Sequence, residues 1–201
     1  MTKKSYFMKT FNLVLNLFIF SIFGVIFTLI TGYLEPNIAE VKNLLPSSQI
    51  PAYFDHLHDW LELATYLIII GFIVLSAFEI APRIAHDSVL NLFKSVLGTF
   101  RLRRFATQSE RVVKLTTDTQ GKHTVNPIYQ DFNRAIRKSV LDVTDNHVRV
   151  FIKVPHSQQA QKILTEMETA LKEEISGRYP DYVFSNFTRG KASLWLESNK
   201  R

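Results

Sequence analysis

Two long apolar runs dominate the first half of the chain. The first, Phe11 to Ile30, holds 20 residues without a charged side chain, the length at which a helix crosses a hydrocarbon core of about 30 Å. The second, Leu63 to Phe78, is also uncharged, and further apolar residues extend it at both ends. We therefore predict two transmembrane helices, over about residues 11–32 and 61–81, in a membrane anchor that covers residues 1–83.

Two alternatives to uncleaved spans fit this pattern less well. A signal peptide has an apolar region of about 7–15 residues and a small-residue cleavage site, whereas the first run is longer and is followed by the sequence TGYLEP. A buried helical hairpin would need more covering chain than a soluble domain of this size offers.

The pattern changes after the second run. Over residues 84–105, apolar residues recur at helical spacing and lead into Arg101, Arg103 and Arg104, which predicts a basic amphipathic juxtamembrane helix. Its apolar side could rest on the inner membrane surface. Alternatively, it could pack against a neighbouring subunit. The pattern leaves both interpretations open.

The last part of the chain, residues 106–201, reads as a folded domain. Residues 147–154 (HVRVFIKV) alternate in the manner of a half-buried strand. A short helix over residues 129–140 precedes it, and a helix from Ser157 to about Ser176 follows it. Two more strands, over 182–188 and 192–197, meet at Arg189 and Gly190. We predict the α+β class: two transmembrane helices followed by a small cytoplasmic βαββ-type domain.

Charge predicts the orientation in the membrane. Residues 1–80 carry four lysines against six acidic residues, and the rest carries 20 basic against 12 acidic residues, so the overall net charge of +6 divides into −2 and +8. Basic residues precede the first span and follow the second, and Lys42 is the only basic residue between the two spans. Because cytoplasmic flanks are rich in lysine and arginine, we expect a multi-pass cell-membrane protein with both termini cytoplasmic and residues 33–60 outside.

Small and polar residues within the spans predict helix packing. Asn12, Asn16, Gly24 and Thr28 follow one row of the first helix, and such a row is typical of a contact between helices in a membrane. The row could meet the second span near Gly71. It could equally meet a second copy of itself, in a homo-oligomer.

The sequence contains no recognisable catalytic constellation. Cysteine is absent, and no phosphate-binding loop is present. His56 and His58 would chelate a metal together only on a strand, since residues two apart on a helix point in different directions. We therefore expect no enzyme activity and no catalytic, cofactor-binding or metal-binding residues.

Basic residues are the remaining candidates for binding. One cluster ends the juxtamembrane helix and another lies on the short helix, and both could contact a membrane surface or phosphate groups, including those of DNA: Arg101, Arg103, Arg104, Arg134, Arg137 and Lys138.

The order of these segments resembles the N-terminal, pre-motor region of the FtsK-type DNA translocases and conjugative coupling proteins of Gram-positive mobile elements. In that family the region precedes an ATPase with Walker motifs, and the sequence up to Arg201 contains none. The resemblance therefore implies a motor on a separate polypeptide or a remnant of a translocase. It implies an accessory protein that recruits a protein partner, namely the motor ATPase of a conjugative or plasmid DNA-transfer system. The alternative is a two-span membrane sensor or transporter accessory subunit.

Overall fold

The computed structural model describes the backbone of residues 3–44, 50–108, 111–113 and 123–201, and the side chains of residues 3–34, 52–108 and 126–201. The chain divides into two compact units. We call residues 10–81 the helical unit, and residues 82–201 together with residues 1–9 the sheet unit. The predicted mixed class is confirmed, since two long apolar helices come first and a small sheet region follows.

Two helices, α1 (Tyr6–Leu44) and α2 (Ile50–His86), supply the helical unit. Both contain segments long and apolar enough to cross a membrane, Tyr6–Leu34 with a mean hydropathy of 2.6 and Ala52–His86 with 2.3. Only 11% and 6% of these apolar windows are buried within the chain, whereas a core helix of a soluble protein is mostly covered by its own chain. The helices also extend past the predicted spans, so much of the predicted outer loop is helical.

The sheet unit contains three helices and two antiparallel sheets within the described residues. The helices are α3 (Val89–Ala106), α4 (Pro127–Ile136) and α5 (Gln158–Arg178). The small sheet pairs β1 (Arg111–Val113) with β2 (His123–Val125). The main sheet holds β3 (Val140–Val143), β4 (Val148–Lys153), β5 (Tyr182–Phe184), β6 (Thr188–Arg189) and β7 (Ser193–Lys200), in the order β3-β4-β7-β5, with β6 also paired to β7.

Side-chain caps explain where the helices begin. The hydroxyl of Ser88 accepts a hydrogen bond from the N–H of Leu90 at the start of α3, so this helix starts later than predicted. The hydroxyl of Ser157 plays the same role for α5, as expected for a serine at this position. Helix α5 continues through Gly177 to Arg178 instead of ending at Ser176.

Alternation along β4 places the core on one face of the main sheet. Val148, Val150 and Ile152 are at most 1% exposed and lie in the same cluster as Phe132 of α4 and Leu171 of α5, both fully buried. The opposite face carries the alternate residues of β4 and β7. Helices α4 and α5 therefore cover one face, and the other can present side chains for binding.

Strand β3 is the main departure from the predicted elements. The short helix predicted over 129–140 ends at Ile136, and residues 140–143 form a strand that pairs with β4. All four residues of β3 are buried, including Asp142 at 2% exposure. The sequence does not predict this strand, because the charged residue Asp142 interrupts its short apolar run. The burial of Asp142 depends on a partner from a distant segment.

Candidate functional site

The face of the main sheet opposite α4 and α5 has an apolar half and a polar half. In the apolar half, Phe151 of β4 lies opposite Trp195 of β7, and their rings meet edge to face with centroids 5.2 Å apart. The ammonium group of Lys4 lies 3.5 Å from the centroid of Phe151 and covers it. Burial, and then the charge of Lys153, lower the pKa of Lys4. This half is therefore closed by the chain itself.

The polar half forms an open groove of about 310 Å³. Its lining residues come from the ends of β4 and β7 and from β5: His147, Arg149, Val183, Ser185, Glu197, Ser198 and Asn199. Two buried nitrogen atoms in this lining, Nε2 of His147 and Nε of Arg149, have no hydrogen-bond partner among the described residues.

The charges in the groove are arranged as separate donors and acceptors. Arg149 and Glu197 are directly opposite in the strand register, yet no ion pair joins them within the described part of the chain. Burial, and next the charge of Arg149, lower the pKa of His147, while Asp142, Glu197 and Asp87 act in the opposite direction. The groove thus holds Arg149, Glu197 and an imidazole whose protonated form the fold disfavours.

This arrangement suits a polypeptide partner. A guanidinium group binds carboxylates through parallel hydrogen bonds, and Glu197 can accept hydrogen bonds from amides or cations. The groove lies beside β5, which pairs only with β7 among the described strands, and Val183 of β5 is 57% exposed. An edge strand next to polar pockets is a known arrangement for adding a strand from a partner.

The pKa of His147 gives a prediction. Because the folded state disfavours its protonated form, the unfolded chain binds that proton more readily, and stability is lost as the pH falls below the usual histidine pKa near 6.5. We expect the unfolding free energy to fall between about pH 7 and pH 5, and His147→Gln to flatten this dependence. Denaturant titrations across that range measure it. An unchanged slope in His147→Gln would contradict the prediction.

The other edge of the main sheet is closed by α3. Four polar residues spaced four apart on this helix, Asn91, Ser95, Thr99 and Arg103, face positions spaced two apart from Ser139 to Asp145. Four residues of helix rise about 6.0 Å and two residues of strand about 6.6 Å, so the two spacings match. The hydroxyl of Thr99 accepts from the N–H of Leu141 at 3.0 Å and donates to its carbonyl at 3.1 Å. We call this set of contacts the edge ladder.

Ser95 repeats this pattern one rung along the edge ladder. Its hydroxyl accepts from the N–H of Val143 at 2.8 Å and also lies 3.3 Å from the Val143 carbonyl. At the C-terminal end, Nε of Arg103 donates to the carbonyl of Ser139 at 2.9 Å. Burial lowers the pKa of Arg103 to about 10, so it remains charged at neutral pH. The hydrogen-bonding groups of the outer edge of β3 are thereby occupied, and β5 and β6 form the opposite edge of the main sheet among the described strands.

A buried ion cluster joins the last turn of α2 to β3 within the sheet unit. Arg83, 6% exposed, donates to Asp142 Oδ1 at 2.6 Å, to Asp87 Oδ2 at 3.2 Å and to the carbonyl of Val143 at 3.0 Å. Asn91 bridges Asp87 and Asp145. Burial alone would raise the pKa of Asp87, but hydrogen bonds from Asn91 and from backbone N–H groups, together with Arg83, outweigh it and lower the pKa.

The structure divides the predicted basic residues. Arg101 and Arg104 are exposed on α3, while Arg103 turns toward the sheet in the edge ladder. Arg134, Arg137 and Lys138 are exposed together at the C-terminal end of α4. The two groups lie on different helices.

The predicted packing row of the first helix is met in part inside the helical unit. A side chain at Gly24 would meet the hydroxyl of Thr65 at 2.6 Å, and the hydroxyls of Thr28 and Thr65 lie 3.4 Å apart. A Cβ atom at Gly71 would lie 4.0 Å from Cδ1 of Leu17 on α1. Asn16 is exposed and Asn12 is partly buried.

The two histidines near the start of α2 are not placed as a pair. His56 and His58 both lie on α2, where His56 is exposed and Nδ1 of His58 lies 2.7 Å from the hydroxyl of Thr31. In the part of the chain that the structure describes, no group of three or more histidine or acidic residues could hold a metal ion.

Sequence reasoning missed the groove. The alternation in residues 147–154 indicates that Arg149 leaves the core, but Glu197 meets Arg149 only through the register of β7 on β4. No spacing along the chain signals that pairing.

In comparisons with family models, with curated proteins and with solved structures, nothing matches this chain, so its function is argued from its own residues.

Proposed function

We propose that this chain is a two-span membrane anchor whose sheet unit, on the cytoplasmic side, binds a partner protein through the groove and β5. The partner adds a strand along β5 and places a carboxylate on Arg149. Both termini face the cytoplasm and residues 33–60 face outside. This orientation agrees with the basic residues that precede the first span and follow the second.

The observation that carries this proposal is the open groove in which Arg149 and Glu197 lie opposite each other, with no ion pair between them in the described part of the chain. A carboxylate from a partner would pair with the guanidinium group of Arg149. The exposed Val183 beside them supplies an apolar contact next to the open edge of β5.

The proposed partner is the motor ATPase of a conjugative or plasmid DNA-transfer system. The support for this identity is the order of the sequence segments alone: two spans, a basic helix and a small α+β domain. A sensor or transporter accessory role shares the membrane anchor, and it differs in the partner, which would be a kinase or a permease.

The test is site-specific photo-crosslinking of the full chain in its native membrane. A photoreactive amino acid replaces Val183 in the groove, or Glu166, which is 64% exposed on α5, as the matched control. We expect a protein with Walker motifs to be captured from position 183 and not from position 166. Capture of only a permease or a kinase would contradict the motor assignment and favour the alternative.

A second comparison tests the groove itself. Arg149→Ala should reduce crosslinking from position 183 about tenfold or more, because a charged hydrogen bond contributes about 1.5–3 kcal/mol. Arg137→Ala removes an exposed arginine at the end of α4 and should leave the yield unchanged. Equal yields for wild type and Arg149→Ala would exclude the groove as the binding site.

A further inference from the structure

Helix α3 buries its polar side and exposes its apolar side, the reverse of a helix in a soluble domain. The side that packs against the sheet is mostly small or polar: Asn91, Ser95, Gly98, Thr99, Leu102 and Ala106 are buried. The opposite side carries exposed apolar residues, which we call the apolar face: Val89, Leu90, Phe93, Leu97 and Phe100, at 36%, 68%, 62%, 52% and 42% exposure. Soluble helices normally turn the apolar side inward.

The edge ladder explains why the polar side of α3, and not its apolar face, packs against the main sheet. Strand β3 presents backbone N–H and C=O groups along its edge, and these groups require polar partners when they are buried. Ser95 and Thr99 supply them. Gly98 allows the close approach, since a side chain there would meet the hydroxyl of Tyr179 at 2.5 Å and Leu141 Cδ2 at 2.9 Å. The apolar face is therefore held outward by the fold.

The charges of α3 indicate what covers that face. The helix contains four basic residues and no acidic one, and Lys94, Arg101 and Arg104 are exposed. Helices with an apolar stripe and basic flanks lie in the interface of anionic membranes, where long basic side chains reach the headgroups. Only Asp87 and Ser88 separate α3 from the end of α2, so the chain keeps α3 close to the membrane that α2 enters.

We infer that the apolar face of α3 lies in the headgroup layer of an anionic bilayer, with Lys94, Arg101 and Arg104 on the lipid phosphates. This inference rests on the two-span part of the proposed function. Helix α3 then makes contacts on both sides: its polar side binds the edge of the main sheet, and its apolar face inserts into the headgroup layer of the membrane.

The absence of cysteine permits a clean test by single spin labels in the full-length protein. Labels are placed at Leu97→Cys on the apolar face, at Phe27→Cys in the first span, and at Lys162→Cys on α5, where the lysine side chain is 80% exposed. The protein is reconstituted in vesicles of phosphatidylcholine alone or mixed with an equal amount of phosphatidylserine. Collisions with lipid-soluble oxygen and with a water-soluble nickel chelate are compared at each label.

In the mixed vesicles we expect oxygen to dominate at positions 27 and 97 and nickel to dominate at position 162. Each basic residue near an anionic surface favours the bound state about fivefold. Arg101→Glu with Arg104→Glu should therefore lower the oxygen-to-nickel ratio at position 97 about tenfold or more. The control, Lys191→Glu with Lys200→Glu, makes the same change of charge at two exposed positions outside α3 and should leave the ratio unchanged.

Four results would overturn the inference. Nickel access at position 97 equal to that at 162, with position 27 still in lipid, would refute it and leave the two spans intact. Protection of position 97 from both reagents would show a protein covering the apolar face. An equal effect of the two double variants would show a response to overall charge only. Nickel access at position 27 would refute the two-span anchor as well.

Discussion

Replacing Arg83 with methionine is expected to lower the unfolding free energy of the sheet unit by about 3–5 kcal/mol. The substitution leaves the carboxylate of Asp142, 2% exposed, without its partner at 2.6 Å. It also removes the hydrogen bond to the carbonyl of Val143. A buried charge that loses its partner retains its desolvation cost without compensation.

Tryptophan fluorescence measures this effect. The chain has two tryptophans, and in a Trp60→Phe background Trp195, buried at 7% exposure, reports the unfolding of the main sheet in detergent micelles. Lys162→Met is the matched control, because its ion pair with Glu166 is exposed, and such pairs contribute at most about 1 kcal/mol. A loss in Arg83→Met no larger than in the control would contradict the prediction.

The second large effect is expected at the edge ladder. Ser95→Ala combined with Thr99→Val removes the two hydroxyls that pair with the N–H groups of Val143 and Leu141. Each unpaired buried N–H costs about 1–3 kcal/mol, so the double variant should lose about 2–6 kcal/mol. The loss should be local first, because α3 can separate from β3 before the main sheet unfolds.

Amide hydrogen exchange resolves that order. The N–H groups of Leu141 and Val143 should lose protection in the double variant, while that of Val150, which lies inside the sheet between β3 and β7, should lose less. Thr165→Val serves as the control, since its exposed hydroxyl bonds only within α5, and its effect should stay within about 0.5 kcal/mol. Retained protection at Leu141 and Val143 would show that the ladder contributes little.

Local signals made several elements predictable. The alternation of β4 and the cap at Ser157 are readable because each depends on neighbours within a few residues. Strand β3 is not readable, since Asp142 is buried only because Arg83, 59 residues away, binds it. The groove could not be predicted from the sequence for the same reason, since Arg149 and Glu197 become neighbours only through the pairing of β4 with β7.

Helix α3 shows which features are local and which are not. Two apolar segments long enough to cross a membrane, and an amphipathic basic helix after them, can be read from the residues alone, because length, hydropathy and periodicity are local properties of the chain. Which side of α3 packs against the sheet depends on contacts with a distant strand. Buried backbone groups on the edge of β3 demand polar partners, so Ser95 and Thr99 turn inward and the apolar face turns out.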